Sequence, residues 1–242
     1  MSASDPVPGS RLDQISTRQA AVRDPEQFLL RYGPAIRAYL MALLGSADTA
    51  DEVVQEVMLA VIRGTGPAAW PGRGRFRDYL KTVIRNAAFG FLRKQKSRST
   101  HPLPEEVSDQ GASTTAADRV WDAEWHRCVM SRVWRELETH QRRTPGNLFH
   151  TVLRVFSDSP DANSTQLAAT ASQKCGRTIT AEAYRKQLSR ARPFMAELIA
   201  VEVADTLAAP TASDVEAELI AVGLWPLVRD YLPTDWRQRI GE

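Results

Sequence analysis

Apolar residues recur along this chain at steps of three and four, the spacing that lines one face of a helix. Phe28, Leu29, Tyr32, Ile36, Tyr39, Leu40 and Leu43 form the first stripe, and Gly45 stops it. Ser46 or Asp48 can then cap a second helix, roughly Thr49 to Arg63, with Ala50, Val53, Val54, Val57 and Val61 on its buried face. The glycines and prolines from Gly64 to Gly74 break the pattern. A third helix is predicted from about Phe76 to Lys96, apolar along Phe76, Leu80, Val83, Ile84, Ala87 and Phe91.

From Ser99 to Ala117 the chain is Pro, Ser, Thr, Gly and acid with no apolar period, which reads as an interdomain linker. An amphipathic helix follows from Asp118 to about Thr139, carrying Trp121, Trp125, Val129, Val133 (or Trp134) and Leu137 on one side. Further helices are predicted at Asn147–Phe156, Thr165–Ser172 and Thr180–Thr206, the last containing Pro193. No strand-like alternation and no repeat occurs. The expected fold is therefore all-α, with two small helical domains at 25–98 and 118–207. A flexible linker (99–117) joins them, a polar tail (1–24) precedes them and a short helical extension (208–242) follows. That extension carries Val215, Leu219, Trp225, Leu227, Tyr231 and Trp236, too much apolar surface for a free tail. It reads as a regulatory cap or as extra core for the second domain.

Composition narrows the class. At 242 residues, 43% hydrophobic and 25% charged, the chain is neither wholly disordered nor an integral membrane protein. Its most apolar tract, Phe194 to Leu207, is interrupted by Glu197, Glu202 and Asp205, so it cannot span a bilayer. Two cysteines, Cys128 and Cys175, exclude a disulfide framework and fit a reducing compartment. With no apolar segment resembling a secretory signal near Met1, the expected location is cytoplasmic.

The formal net charge of +2 conceals a strong segregation. From Arg63 to Arg98 the basic residues are Arg63, Arg73, Arg75, Arg77, Lys81, Arg85, Arg93, Lys94, Lys96 and Arg98, against Asp78 alone. Such an excess on one helix and its leader is the footprint of phosphate binding, and Arg77, Lys81 and Arg85 step by four along one face. A second basic cluster, Lys174, Arg177, Arg185, Lys186, Arg190 and Arg192, is relieved only by Glu182. Between them in sign lies the second helix, whose Asp48, Asp51, Glu52, Gln55 and Glu56 share one acidic-polar face. From charge alone that face is either plain solvent surface or a dock for a basic protein.

The second basic cluster sits in a candidate helix-turn-helix. Thr165–Ser172 would be the scaffold helix, capped by Asn163 or Ser164, Lys174–Ile179 the turn, and Thr180 the cap of a helix over Ala181–Arg192. Arg185, Lys186 and Gln187 carry donors suited to base edges, while Leu188 with Tyr184 or Ala181 would face the core. No catalytic constellation accompanies these surfaces. His101, His126, His140 and His150 are scattered, and His126 and Cys128 fall on different faces of a helix. With no Gly-rich phosphate loop, HExxH or GxSxG, no enzyme activity, metal or cofactor is expected.

Taken in order, these segments resemble the small extracytoplasmic-function (ECF) sigma factors of bacterial RNA polymerase. Thr49–Gly64 is similar to that family's polymerase-docking helix, Gly74–Ser97 to its promoter-melting and −10-reading segment, and Ala183–Arg192 to the end of its −35 recognition helix. The resemblance implies that Asp48, Asp51, Glu52, Gln55 and Glu56 contact core RNA polymerase. It likewise implies that Arg75, Arg77, Lys81, Arg85, Asn86, Arg93, Lys94 and Lys96 meet −10 promoter DNA, with Asn86 and Ala87–Gly90 where a flipped-out base is captured. Tyr79 stands where tryptophan is usual, and a core role is expected of it. Thr180, Glu182, Arg185, Lys186, Gln187, Arg190 and Arg192 would meet the −35 element. The turn before the recognition helix is longer than the family's tight one, and residues 208–242 exceed its usual length. An anti-sigma or kinase-type regulator is left open as a further partner. Two rivals are carried forward: a stand-alone helix-turn-helix regulator, which has no use for an acidic docking helix, and a helical nucleic-acid-processing enzyme, which would need a catalytic constellation.

Overall fold

Helix signals and tertiary packing agree for most of the chain. A computed structural model describes residues 25–71, 74–98, 110–207 and 209–240. The expected tail (1–24) and the first part of the expected linker (99–109) lie outside the described residues. The fold is all-α: α1 (Pro25–Leu44), α2 (Ala47–Ile62), a 3-10 turn (Gly66–Ala69), α3 (Phe76–Arg98), α4 (Gln110–Arg143), α5 (Phe149–Asp158), α6 (Ser164–Cys175), α7 (Ala181–Ala204), α8 (Ala212–Ala221), α9 (Trp225–Val228) and α10 (Trp236–Ile240). Among the described residues the only strand-like pairing is a single antiparallel bridge between Arg75 and Leu207. No described helix is long and apolar enough to cross a membrane.

The chain divides into two compact units, and the division falls inside α4, between Cys128 and Val129. One unit holds α1 to α3 and α4 up to Cys128, together with Ala204–Pro210; the other holds 129–203 and 211–242. This differs from the expected layout. Gln110–Ala117, read as linker, is the first part of α4. Ala117 is wholly buried one turn before Trp121, so packing orders a stretch whose small side chains carry no apolar period.

In the N-terminal unit, the stripe read from the sequence forms the core. Phe28, Tyr32, Ile36, Tyr39 and Leu40 of α1 are fully buried, as are Phe76, Leu80 and Ile84 of α3. Trp121 and Trp125 of α4 complete that core. The Tyr32 and Trp125 rings stack at 5.1 Å, and Tyr39 meets Trp121 edge-on at 5.5 Å. Ser46 caps α2 by accepting from the Thr49 amide, and Gly64, with φ +69°, ends the turn that follows it. The N-terminus of α3 is satisfied from far along the chain: the Phe76 amide donates to the Thr206 carbonyl at 3.0 Å. Arg31 approaches the buried Asp205 at 3.9 Å, so 204–207 packs as part of this unit.

In the C-terminal unit, α6, the turn after it and α7 occupy the expected helix-turn-helix, with α5 packed against α6. Asn163 and Gln166 form a reciprocal capping box at the start of α6. Gly176, at φ +65°, ends that helix after Cys175, so the turn is Gly176–Thr180 and shorter than the sequence suggested. Ser172 Oγ accepts from the Ile179 amide at 2.8 Å and fixes the turn. Tyr184 is buried and its hydroxyl donates to the Val152 carbonyl at 2.9 Å. Glu202 on α7 meets Arg132 Nε at 2.6 Å, an ion pair with both partners largely buried. From Thr211 on, the C-terminal extension belongs to this unit, with Val215, Leu219, Leu224 and Val228 wholly buried. Of its two readings, extra core is the one these side chains support.

Two predictions follow from the packing. Trp125→Ala should cost about 3–5 kcal/mol of unfolding free energy, the range for deleting a buried large aromatic, as measured by urea titration. Burial pushes the Tyr184 hydroxyl up to about 12, whereas an unfolded tyrosine titrates near its ordinary value. The unfolded state therefore ionises first; the contribution of Tyr184 is complete below about pH 10 and is lost as pH rises toward 12. Tyr184→Phe should flatten that alkaline fall in the urea midpoint.

Candidate functional site

Helix α2 presents its carboxylates outward because Ala50, Val53, Val57 and Val61 take the buried face. Asp48, Glu52, Gln55 and Glu56 are exposed and Asp51 is half-buried. Asp51 has a structural partner: Arg37 of α1 grips it with two bonds, Nε to Oδ1 at 2.7 Å and Nη2 to Oδ2 at 3.1 Å. The hydrogen bond from Arg37 holds the Asp51 carboxyl below its ordinary range. Glu56 Oε1 lies 3.6 Å from Lys94 Nζ. Asp48, Glu52 and Gln55 carry no side-chain bond or ion pair among the described residues, so they form the accessible centre of the acidic face.

The basic face of α3 is divided by what packs beside it. Arg77 is only 6% exposed; its Nη1 lies 2.5 Å from Asp122 Oδ1, and its Nη2 lies 3.8 Å from Asp78. Lys81 Nζ is 3.6 Å from Asp118 Oδ1. Arg85 donates from Nη2 to the same Asp118 oxygen and from Nε to the Tyr39 hydroxyl, both at 3.0 Å. The step of four that aligned these cations along one face also aligned them with the acids of α4, themselves four apart. Arg77, expected at the DNA, is nearly buried against Asp122, and a buried guanidinium that loses its carboxylate is costly. Asn86, Arg93, Lys94 and Lys96 are exposed, and Arg75 is half-buried. Tyr79, expected in the core, is half-buried and donates to the Gly66 carbonyl at 2.7 Å.

On α7 the predicted DNA contacts separate in the same way. Thr180 caps the helix by accepting from the Ala183 amide at 3.1 Å. Arg185, Lys186 and Arg190 are exposed, and Lys186 pairs with Glu182 at 2.8 Å. Gln187 is engaged elsewhere: its Nε2 donates to the Gly146 carbonyl at 3.1 Å and its Oε1 accepts from the Leu148 amide at 3.4 Å. Arg192 lays its guanidinium over the Phe156 ring at 4.7 Å and the Tyr231 ring at 5.5 Å. Gln187 and Arg192, both expected at the DNA, thus make contacts that brace the fold, and Arg192 also lines one of the concavities beside α7. Two concavities flank the helix. One, about 370 Å³, is lined by Leu148, Arg177, Ile179, Ala183, Lys186 and Arg190 among others; the other, about 710 Å³, includes Asn163, Arg185, Ser189, Asp230 and Tyr231. Arg177, exposed beside Lys186, joins this surface although it stood outside the predicted contact set.

Among the described residues no group of three or more His, Cys, Asp or Glu side chains could hold a metal ion. The N-terminal unit offers an acidic face on α2 and a basic one on α3, and the C-terminal unit offers a basic face on α7. No curated protein and no solved structure matches the chain. Residues 28–98, less than a third of its length, match the family model of sigma-70 region 2. α1, α2 and α3, with the acidic face of α2 and the basic face of α3, thus constitute a sigma-70 region 2 domain.

Proposed function

We propose that this chain is a sigma factor of the extracytoplasmic-function type. It binds core RNA polymerase, directs it to promoter DNA through −35 and −10 elements and stabilises strand opening in the cytoplasm. The observation that carries this reading is the joint presence, in a sigma-70 region 2 domain, of an outward carboxylate face on α2 and an outward basic end on α3. A DNA-binding regulator that never meets polymerase has no use for the first, because carboxylates repel phosphate. Asp48, Glu52, Gln55 and Glu56 are assigned to polymerase, with Asp51 bracing the helix through Arg37. Asn86, Arg93, Lys94 and Lys96, with the partly exposed Lys81 and Arg85 beside them, are assigned to the −10 region. Arg185, Lys186 and Arg190 are assigned to the −35 element, where the early part of a recognition helix reaches base edges.

Glu52→Lys tests the polymerase contact: Glu52 is exposed and makes no ion pair among the described residues, so the variant should fold normally. It should lose co-purification with core polymerase, and retained binding would contradict the assignment. Arg185→Ala should weaken binding to the cognate −35 duplex by about 1–3 kcal/mol in a competition titration, with lost discrimination between promoter variants. An equal loss on every sequence would mean that Arg185 touches phosphate only.

A further inference from the structure

Asp118 packs against the basic face of α3. It lies on α4, is about one-third exposed, and receives both Lys81 (3.6 Å) and Arg85 (3.0 Å) from the basic face of α3. Asp122, one turn on, receives Arg77 at 2.5 Å. The two acids sit in different circumstances. Arg77 is almost buried, so its pairing with Asp122 belongs to the fold. Lys81 and Arg85 keep 20% and 32% of their side chains exposed. A partly exposed ion pair contributes little and yields to a competing polyanion at low salt. Nor does Asp118 hold α4 in place, since Trp121 and Trp125 do that through the aromatic core.

We infer that Asp118 is an autoinhibitory contact: an internal carboxylate that competes with DNA phosphate for Lys81 and Arg85 and lowers the affinity of region 2 for nucleic acid. DNA binding to this face exchanges one anion for another while α4 stays docked. The inference rests on the reading above that the basic face of α3 meets DNA, and it adds that two of those cations are withheld until phosphate displaces Asp118.

Asp118→Asn removes the competing charge and keeps the shape. The full-length variant and wild type would be titrated by fluorescence anisotropy against a labelled mixed-sequence single-stranded 20-mer, over a series of salt concentrations. The variant should bind about three- to tenfold tighter at low salt, with a log–log salt slope steeper by about one, the signature of one or two extra phosphates neutralised. Asp122→Asn should lower the thermal midpoint and leave that slope unchanged, because Arg77 does not become available. Should the amide at 118 prevent folding, Asp118→Ser is read in the same way. Equal affinity and slope for wild type and the folded 118 variant would overturn the lock while leaving the DNA reading intact. Absence of binding by both would overturn the lock and the DNA reading of α3 together.

Discussion

The stacking of Trp121 and Trp125 against the tyrosines of α1 determines what the rest of the N-terminal unit can do. Each ring is fully buried, and burying a large apolar side chain stabilises by about 1.5–3 kcal/mol, more than any half-exposed ion pair on the same surface. This contact fixes the beginning of α4 along α1 and α3. Once the tryptophans are placed, helical periodicity brings Asp118 and Asp122 over Arg85, Lys81 and Arg77. The hydrophobic interaction decides the geometry, and the electrostatics of the basic face follow from it.

The consequence is a graded cationic surface. Arg77 is committed to the fold, Lys81 and Arg85 are partly engaged, and Arg93, Lys94 and Lys96 near the end of α3 stand in solvent. Lys94 lies at the seam with the acidic face, 3.6 Å from Glu56. Surfaces of opposite sign so close together discourage a nucleic acid from running onto α2 and a basic protein from running onto α3. The C-terminal unit shows the same economy, since Gln187 and Arg192 stabilise the helix that Arg185, Lys186 and Arg190 present.

Much of this was legible in the sequence, and the omissions have physical causes. The stripes of α1, α2 and α3 could be read because one apolar face per helix is a strong periodic signal. The acidic face of α2 was legible because polar residues excluded from the core have one side left to occupy. The start of α4 was not, because Gln110–Ala117 has small side chains whose order comes from Ala117 and Trp121 packing on distant helices. Residues 204–207, expected in the second domain, lie in the N-terminal unit, and a carbonyl from Thr206 capping α3 leaves no local signature in the sequence. Donor-bearing side chains on α7 look alike in sequence, and only the neighbouring loop at Gly146–Leu148 distinguishes Gln187 from Arg185. The acids of α4 were recoverable from the sequence, since their spacing of four matches that of the cations they meet.

The central claim is that an acidic helix face recruits polymerase while separate basic faces select the promoter. Run-off transcription with purified core RNA polymerase, on the DNA upstream of this protein's own coding sequence, tests it most directly. The account predicts a discrete transcript whose appearance requires the protein; the same transcripts with and without it, or none in either case, would contradict it.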